Sequence, residues 1–267
     1  MSDLDHDDID DFQRIRVEQG EGLAVLTLAR PEKRNAMDDV MIAELQLALS
    51  LLDDDPETRV VLLRADGPDF CSGADLSQLE RIAVSDDPVA NLKDAEALGQ
   101  LLVTIRKMHC PVVAAVHGRA FAGGAGLSSA CDMVLAREDA SIAWTEVKLG
   151  FVPAMVMAVL RRVVGEKIAF ELIALGDPID ARRAAELGIF NRVLPADGFE
   201  EATLEFARTL ASRSPSALEL SKRLFYSSET LGFEDAIKRG AEVNALARMT
   251  PDTRAGVRAF LEKKRKG

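Results

Sequence analysis

Two uninterrupted apolar runs, Arg59-Val-Val-Leu-Leu-Arg64 and Pro111-Val-Val-Ala-Ala-Val116, constrain the fold more than anything else in the chain. Each is too short for a helix and carries no polar alternation, so each reads as a buried strand. A helical stretch from about Val89 to Met108 lies between them. Ahead of the first, Arg14 to Leu28 alternates around Gln19-Gly20-Glu21-Gly22 and reads as a β-hairpin. Asp38 or Asp39 can cap a following helix, whose apolar positions Met41, Ile42, Leu45, Leu49 and Leu52 keep helical spacing until Asp53-Asp54-Asp55-Pro56 ends it. After the second run, Ala122 to Leu127 is a glycine-rich turn opening a short helix, and Asp132–Ala136 and Ser141–Ala143 are short strands. Strand, helix, strand thus recurs about three times before residue 150, the order of an α/β layered domain.

Beyond Pro153 helical patterns dominate, and Phe190 to Leu194 is the only clear extended piece. The sequence divides into an acidic leader at 1–11, expected to be disordered, a core at 12–197, and a helical region at 198–267. With 267 residues and 48% apolar composition the chain can bury a substantial core. Its net charge of -11 argues against nucleic acid as a main partner, because phosphate binding needs a basic face. Cys71, Cys110 and Cys131 read as buried thiols of a reducing compartment. The leader has no apolar segment resembling a signal peptide, and no apolar run approaches membrane-spanning length. The expectation is a cytoplasmic protein with no membrane partner.

Few residues can carry chemistry. The three histidines, His6, His109 and His117, have no metal-ligand spacing, so no metal site is expected. There is no Gly-x-Ser-x-Gly and no phosphate-binding Gly-x-x-x-x-Gly-Lys-Ser/Thr. Gly124-x-Gly126 imitates a dinucleotide fingerprint, but Ser129 stands where that pattern needs Gly or Ala. What remains is two glycine turns, each after a buried strand: Ser72-Gly73-Ala74-Asp75 and Ala122-Gly123-Gly124. Glycine lets backbone approach a ligand and aim an N–H at it. Two such groups on one oxygen make an oxyanion hole, and losing one donor typically costs roughly 3–4 kcal/mol of transition-state stabilisation. From spacing alone, two plain tight turns remain the alternative.

From about residue 14 to 265 the chain resembles the crotonase superfamily, the enoyl-CoA hydratase/isomerase family. The likeness lies in Arg30-Pro-Glu-Lys-Arg-Asn-Ala-Met37, Phe70-Cys-Ser-Gly-Ala-Asp-Leu76 and Val112 to Gly118 running into Ala122-Gly123-Gly124 and Cys131-Asp132. It continues through Trp144-Thr-Glu-Val-Lys-Leu-Gly150, Pro153, Ala184 to Gly188 and Phe260 to Arg265. The resemblance implies a crotonase-like fold of repeated ββα units, two roughly perpendicular sheets, a C-terminal helical oligomerisation region and a homotrimer or dimer of trimers. It implies an acyl-CoA thioester substrate, with coenzyme A entering as part of the substrate and no separate cofactor. By it, the oxyanion donors are the N–H groups of Ala74 and Gly123. Coenzyme A would lie against Lys33, Arg34 and Ala36 and the loop Ser72, Gly73, Asp75, Leu76. Lys33 or Arg34 would meet phosphate, joined by Lys263 or Lys264, unless that basic end is only a solvated tail.

The resemblance also marks a departure. Two-glutamate hydratases of the family match Glu146 at one position, but Gly126 stands at the other. Glu146 alone suffices to move a proton from C2 to C4 of a 3-enoyl thioester. The segment Glu146 to Ala154 resembles methylglutaconyl-type enoyl-CoA hydratases, so hydration of a 2-enoyl-CoA is the leading expectation. Double-bond isomerisation is second, and a silent acyl-CoA binder third. Phe121, Gly126, Trp144, Phe151 and Pro153, with Val152 and Met155, are the expected acyl pocket, with core packing the alternative for Trp144. Asp75 and Asp132 are expected to fix loop geometry.

Overall fold

The computed structural model describes residues 11–266. The expected disorder of the acidic leader therefore falls, except for Asp11, outside the described residues. Strands β1 (Ile15–Gly20) and β2 (Leu23–Leu28) form the expected hairpin, paired antiparallel from Ile15↔Leu28 to Gly20↔Leu23. Helix α1 (Asp39–Asp54) starts where Asp38 accepts the Met41 N–H at 2.9 Å, so of the two candidates it is Asp38 that caps.

Strand β3 (Val60–Ala65) is followed by α2 (Leu76–Val84), α3 (Pro88–Lys107) and β4 (Val112–Val116). Then come β5 (Arg119–Phe121), α4 (Gly123–Ala130), β6 (Met133–Arg137) and β7 (Ser141–Ala143). Helices α5 (Ala154–Val163) and α6 (Glu166–Leu175) lead to β8 (Ile179–Asp180), α7 (Ala181–Glu186) and β9 (Arg192–Leu194). The chain ends in α8 (Phe199–Ala211), α9 (Pro215–Ser227), α10 (Phe233–Ala247) and α11 (Pro251–Lys266). Helix α2 and the short strands β5 and β8 were not legible in the sequence. Phe190, expected to be extended, lies just ahead of β9.

The larger sheet has the order β1-β2-β3-β4-β6-β9, parallel from β2 onward. Alternate residues face opposite sides, and both sides are covered. Val61, Leu63, Ala114 and Val116 join α1, α3 and α4 in the main core. Val60, Leu62, Val113 and Ala115 meet Phe199, Ala207 and Ala211 of α8 in a second. Double coverage is why these strands read as unbroken apolar runs.

The smaller sheet, β5-β7-β8, positions the site. Two parallel bridges, Cys71↔Ala120 and Met37↔Ala74, continue it as a row of extended segments. The chain leaves this row in the same direction after Gly73, after Phe121 and after Ala143.

Candidate active site

The loop carrying Ala74 is fixed at both flanks. Met37 donates its N–H to the Gly73 carbonyl at 2.8 Å, and Asp75 donates to the Met37 carbonyl at 2.9 Å. Gly73 has φ +102°, a conformation a side chain disfavours. A Cβ there would also lie 3.0 Å from Ala122 Cβ and 3.8 Å from Gly123 N, so the two glycine turns abut. In the second turn Ala122 has φ +50° and ψ -117°, a sparsely populated state for a non-glycine residue. It is held there by its own N–H donating to the Ala143 carbonyl at 2.8 Å. Among the described residues, neither the Ala74 nor the Gly123 N–H finds an acceptor. Gly123 opens α4, so its amide carries the partial positive charge of a helix start.

Glu146 reaches the same place by sheet register. Phe121 pairs with Ala143 across β5 and β7, so Gly123 and Glu146 follow adjacent parallel strand ends. A 3₁₀ turn, Glu146–Leu149, closes on Gly150, whose N–H donates back to the Glu146 carbonyl. The Glu146 carboxyl is half-buried, its Oε2 is buried without a hydrogen-bond partner, and this desolvation raises its pKa. Two free amides and one desolvated carboxylate thus share one edge. Such an arrangement can bind a carbonyl oxygen as it turns into an oxyanion and handle a proton on a neighbouring carbon.

The missing second carboxylate has a physical counterpart. A Cβ at Gly126 would lie 2.1 Å from Val156 Cγ1, because α4 packs on α5 there. Val156 occupies the space a longer side chain at 126 would need.

The remaining sequence candidates separate into groups. Lys33 and Arg34 are exposed on one turn, Ala36 is buried beneath it, and Ser72 donates its N–H to the Arg34 carbonyl at 3.1 Å. The 33–36 turn and the 72–76 loop are therefore in contact. Leu76 is exposed at the start of α2. Asp75 has its carboxylate engaged internally by Ser77 and by Arg30 at 2.7 Å. The Ser77 hydroxyl, then, against partial burial, the Ser77 N–H and Arg30, hold its pKa below the usual range. Phe121 is half-buried, Phe151 exposed and Pro153 buried. Trp144 is fully buried in the main core, the packing role rather than a pocket wall. Lys263 is exposed on α11, with no hydrogen bond or ion pair to the 33–36 turn or the 72–76 loop among the described residues.

Two residues act as structural supports, a role the sequence did not show: Arg30, and Asn35, which was expected only as part of the 33–36 turn. Arg30, 11% exposed at its side chain, bridges Asp38 at 3.2 Å, Asp75 at 2.7 Å and the Ala36 carbonyl at 3.0 Å. Asn35, fully buried at φ +52°, accepts from Arg30 N and donates to the carbonyls of Asp66 and Asp69. An Asn beside Arg-Pro-Glu-Lys-Arg was the available signal, since Asn tolerates the left-handed region and bonds its own backbone.

The fold sets two backbone amides that have no acceptor among the described residues beside a single desolvated carboxylate. The chain belongs to the enoyl-CoA hydratase/isomerase family, whose model matches residues 18–267. A Thermus thermophilus protein named "Putative enoyl-CoA hydratase" is 40% identical over 250 residues, 94% of this chain and 98% of that one. The crystal structure of an enoyl-CoA hydratase from Mycobacterium smegmatis superposes with a TM-score of 0.90 at 30% identity, covering 94% of this chain and 97% of that one. One from Shewanella pealeana gives 0.90 at 30% identity, covering 96% of each chain. The family accounts for the fold expected from sequence, including its C-terminal helices.

Proposed function

We propose that this protein is an enoyl-CoA hydratase that adds water to a 2-enoyl-CoA thioester through an enolate. The carrying observation is Glu146: its Oε2 is buried and unpartnered at the strand edge beside the free Gly123 amide. The Ala74 and Gly123 N–H groups hold the thioester oxygen, which becomes negative when the nucleophile adds at C3. Glu146 takes a proton from the attacking water and returns it to C2, so one carboxylate serves both steps in turn. Coenzyme A lies along Lys33, Arg34, Ala36 and the Ser72–Leu76 loop, and Phe121, Phe151 and Pro153 border the acyl group. Lys263 of the last helix supplies a further phosphate contact, and no metal or redox cofactor is needed. The enzyme works in the cytoplasm as a trimer or dimer of trimers. Among the described residues no helix is long and apolar enough to cross a membrane.

One observation favours a second reading. With Val156 filling the space at Gly126, no second carboxylate can enter there, and shuttling a proton from C2 to C4 needs only Glu146. A 2-enoyl-CoA and a 3-enoyl-CoA, each incubated in ¹⁸O-labelled water and followed by mass spectrometry, separate the two. Label in the product of the 2-enoyl substrate is the expected result. Unlabelled conversion of the 3-enoyl substrate alone makes the protein an isomerase.

A further inference from the structure

We infer that Arg30 is a positioning residue for the two amides of the oxyanion hole. Its guanidinium pins Met37 against the Ala74 loop, and Met37 in turn backs Gly123, so the spacing of both donors depends on it. This rests on the thioester reading above and adds a residue to its machinery.

Because the Ala74 and Gly123 N–H groups have no acceptor among the described residues, each is aimed by its neighbours. For Ala74 those neighbours are Gly73 and Asp75, and both bond to the backbone of Met37, at 2.8 and 2.9 Å. The pairing is a single bridge, Met37↔Ala74, outside any full strand. The Met37 side chain turns to the other donor. It is 2% exposed, and its Cε lies 2.6 Å from where a Cβ on Gly123 would fall. Met37 therefore meets one turn through its backbone and the other through its side chain.

Arg30 closes a bracket around that bridge. Its Nη1 lies 3.0 Å from the Ala36 carbonyl and 3.2 Å from Asp38 Oδ2, either side of Met37. The same nitrogen is 2.7 Å from Asp75 Oδ2, directly after Ala74. The base of the side chain is fixed as well. Arg30 donates its N–H to Asn35 Oδ1 and accepts from the Asn35 N–H, and Asn35 is bonded to the Asp66 and Asp69 carbonyls. The electrostatics make the bracket depend on this one cation. The side chains of Asp38 and Asp75 are only 16% and 8% exposed, and both face Nη1. Without the guanidinium, two poorly hydrated like charges would confront each other across Met37 and push the bridge apart. Arg14, at 3.1 Å, would still answer Asp38, whereas Asp75 would keep only Ser77 among the described residues. The residue set free is thus the neighbour of the Ala74 donor. A displacement of about 1 Å in such a group is enough to cost roughly a hundredfold in rate.

The test reads the polarised carbonyl itself. But-2-enoyl-CoA carrying ¹³C at the thioester carbon is bound to Glu146→Gln, which turns it over slowly, and its C=O stretch is followed by infrared difference spectroscopy. Two amides on the oxygen should lower that frequency relative to the free thioester. Adding Arg30→Met should shrink the downshift by roughly half, the share of one donor of two, while the ligand still binds. In the enzyme that keeps Glu146, Arg30→Met should lower kcat roughly tenfold to a hundredfold with KM changed less than about threefold. Arg30→Lys, which keeps the charge without the planar fork, should recover part of both. Should Arg30→Met fail to fold, Arg30→Lys carries the test alone, with an intermediate downshift and an intermediate kcat. An unchanged downshift and kcat in the Met variant, or in the Lys variant where it alone folds, would make Arg30 a support of the fold only. That result overturns the inference and leaves the thioester reading intact. Binding to Glu146→Gln without any downshift would overturn the oxyanion hole, and failure of both but-2-enoyl-CoA and free coenzyme A to bind would overturn the thioester reading; either takes this inference with it.

Discussion

Glu146 is a carboxyl that the fold makes harder to ionise. Burial raises its pKa, with only its own backbone N–H pulling the other way. As a base it works ionised, so the acidic limb of the kcat/KM profile should lie above the ordinary glutamate value of about 4.3. Glu146→Gln should remove that limb and lower kcat by roughly a hundredfold to ten-thousandfold. The stability consequence has the opposite sign from a salt-bridged carboxylate. A raised folded pKa means that ionisation destabilises the native state as pH climbs from the unfolded pKa through the folded one. Glu146→Gln should therefore melt no lower than wild type at neutral pH, and a lower melting temperature there would contradict the desolvated site. Gly126 gives a paired expectation. Gly126→Glu alone drives its Cβ into Val156 and should cost about 1–3 kcal/mol in a denaturant titration. Adding Val156→Ala should restore part of that stability and raise ¹⁸O incorporation from the 2-enoyl substrate. A double variant no more stable than the single one would show that Val156 is not what excludes a side chain at 126.

Helix α9 illustrates how the C-terminal helices are tied to the sheet. Lys222, 6% exposed at its side chain, donates to the carbonyls of Ile105 and Cys110 and to Asp132 Oδ2 at 2.7 Å. Asp132 also accepts from the Val112 N–H at 2.6 Å and from the Tyr226 hydroxyl at 2.8 Å. Removing one partner of such a buried pair strands the other, so Lys222→Met should cost about 3–5 kcal/mol in chemical denaturation. In Lys222→Met/Asp132→Asn the two losses should be less than additive; simple additivity would mean the pair is not coupled. The sequence revealed Asp132 as a fixer of loop geometry but not its side-chain partners Lys222 and Tyr226, which lie 90 and 94 residues on. The same limit hid two elements. Strand β5 has three residues, too few for alternation, and its Arg119 is placed by bonds to the distant Asp69. Helix α2 exposes Leu76 and Val84 at its two ends and only half-buries Leu79, so its short apolar pattern gave little to read. Helix α1, in contrast, announced both its cap and its buried stripe through neighbours within one turn.

Burial of an apolar stripe is legible in a sequence; the surface that buries it is not. The main core could be read because Val60–Leu63 and Val112–Val116 have no polar face to offer water. In α10 the pattern is equally helical, yet Phe233 and Ile237 are 82% and 60% exposed in the single chain. Phe225, Met249 and Phe260, on or between the neighbouring helices, are also more than half exposed. A monomer rarely leaves so many large apolar side chains in water. Phe233 and Ile237, one turn apart, share one helix face, and covering that face with another copy fits the proposed trimer or dimer of trimers. Light scattering on the purified protein should give a mass of three or six chains. Phe233→Asp/Ile237→Asp should shift it toward one chain while circular dichroism retains the helical signal. An unchanged mass in that variant would show that α10 faces solvent in the assembly, and a monomeric wild type would remove the oligomer altogether. Because helix association makes stability depend on concentration, the wild-type melting temperature should also rise with protein concentration, and that of the dissociated variant should not.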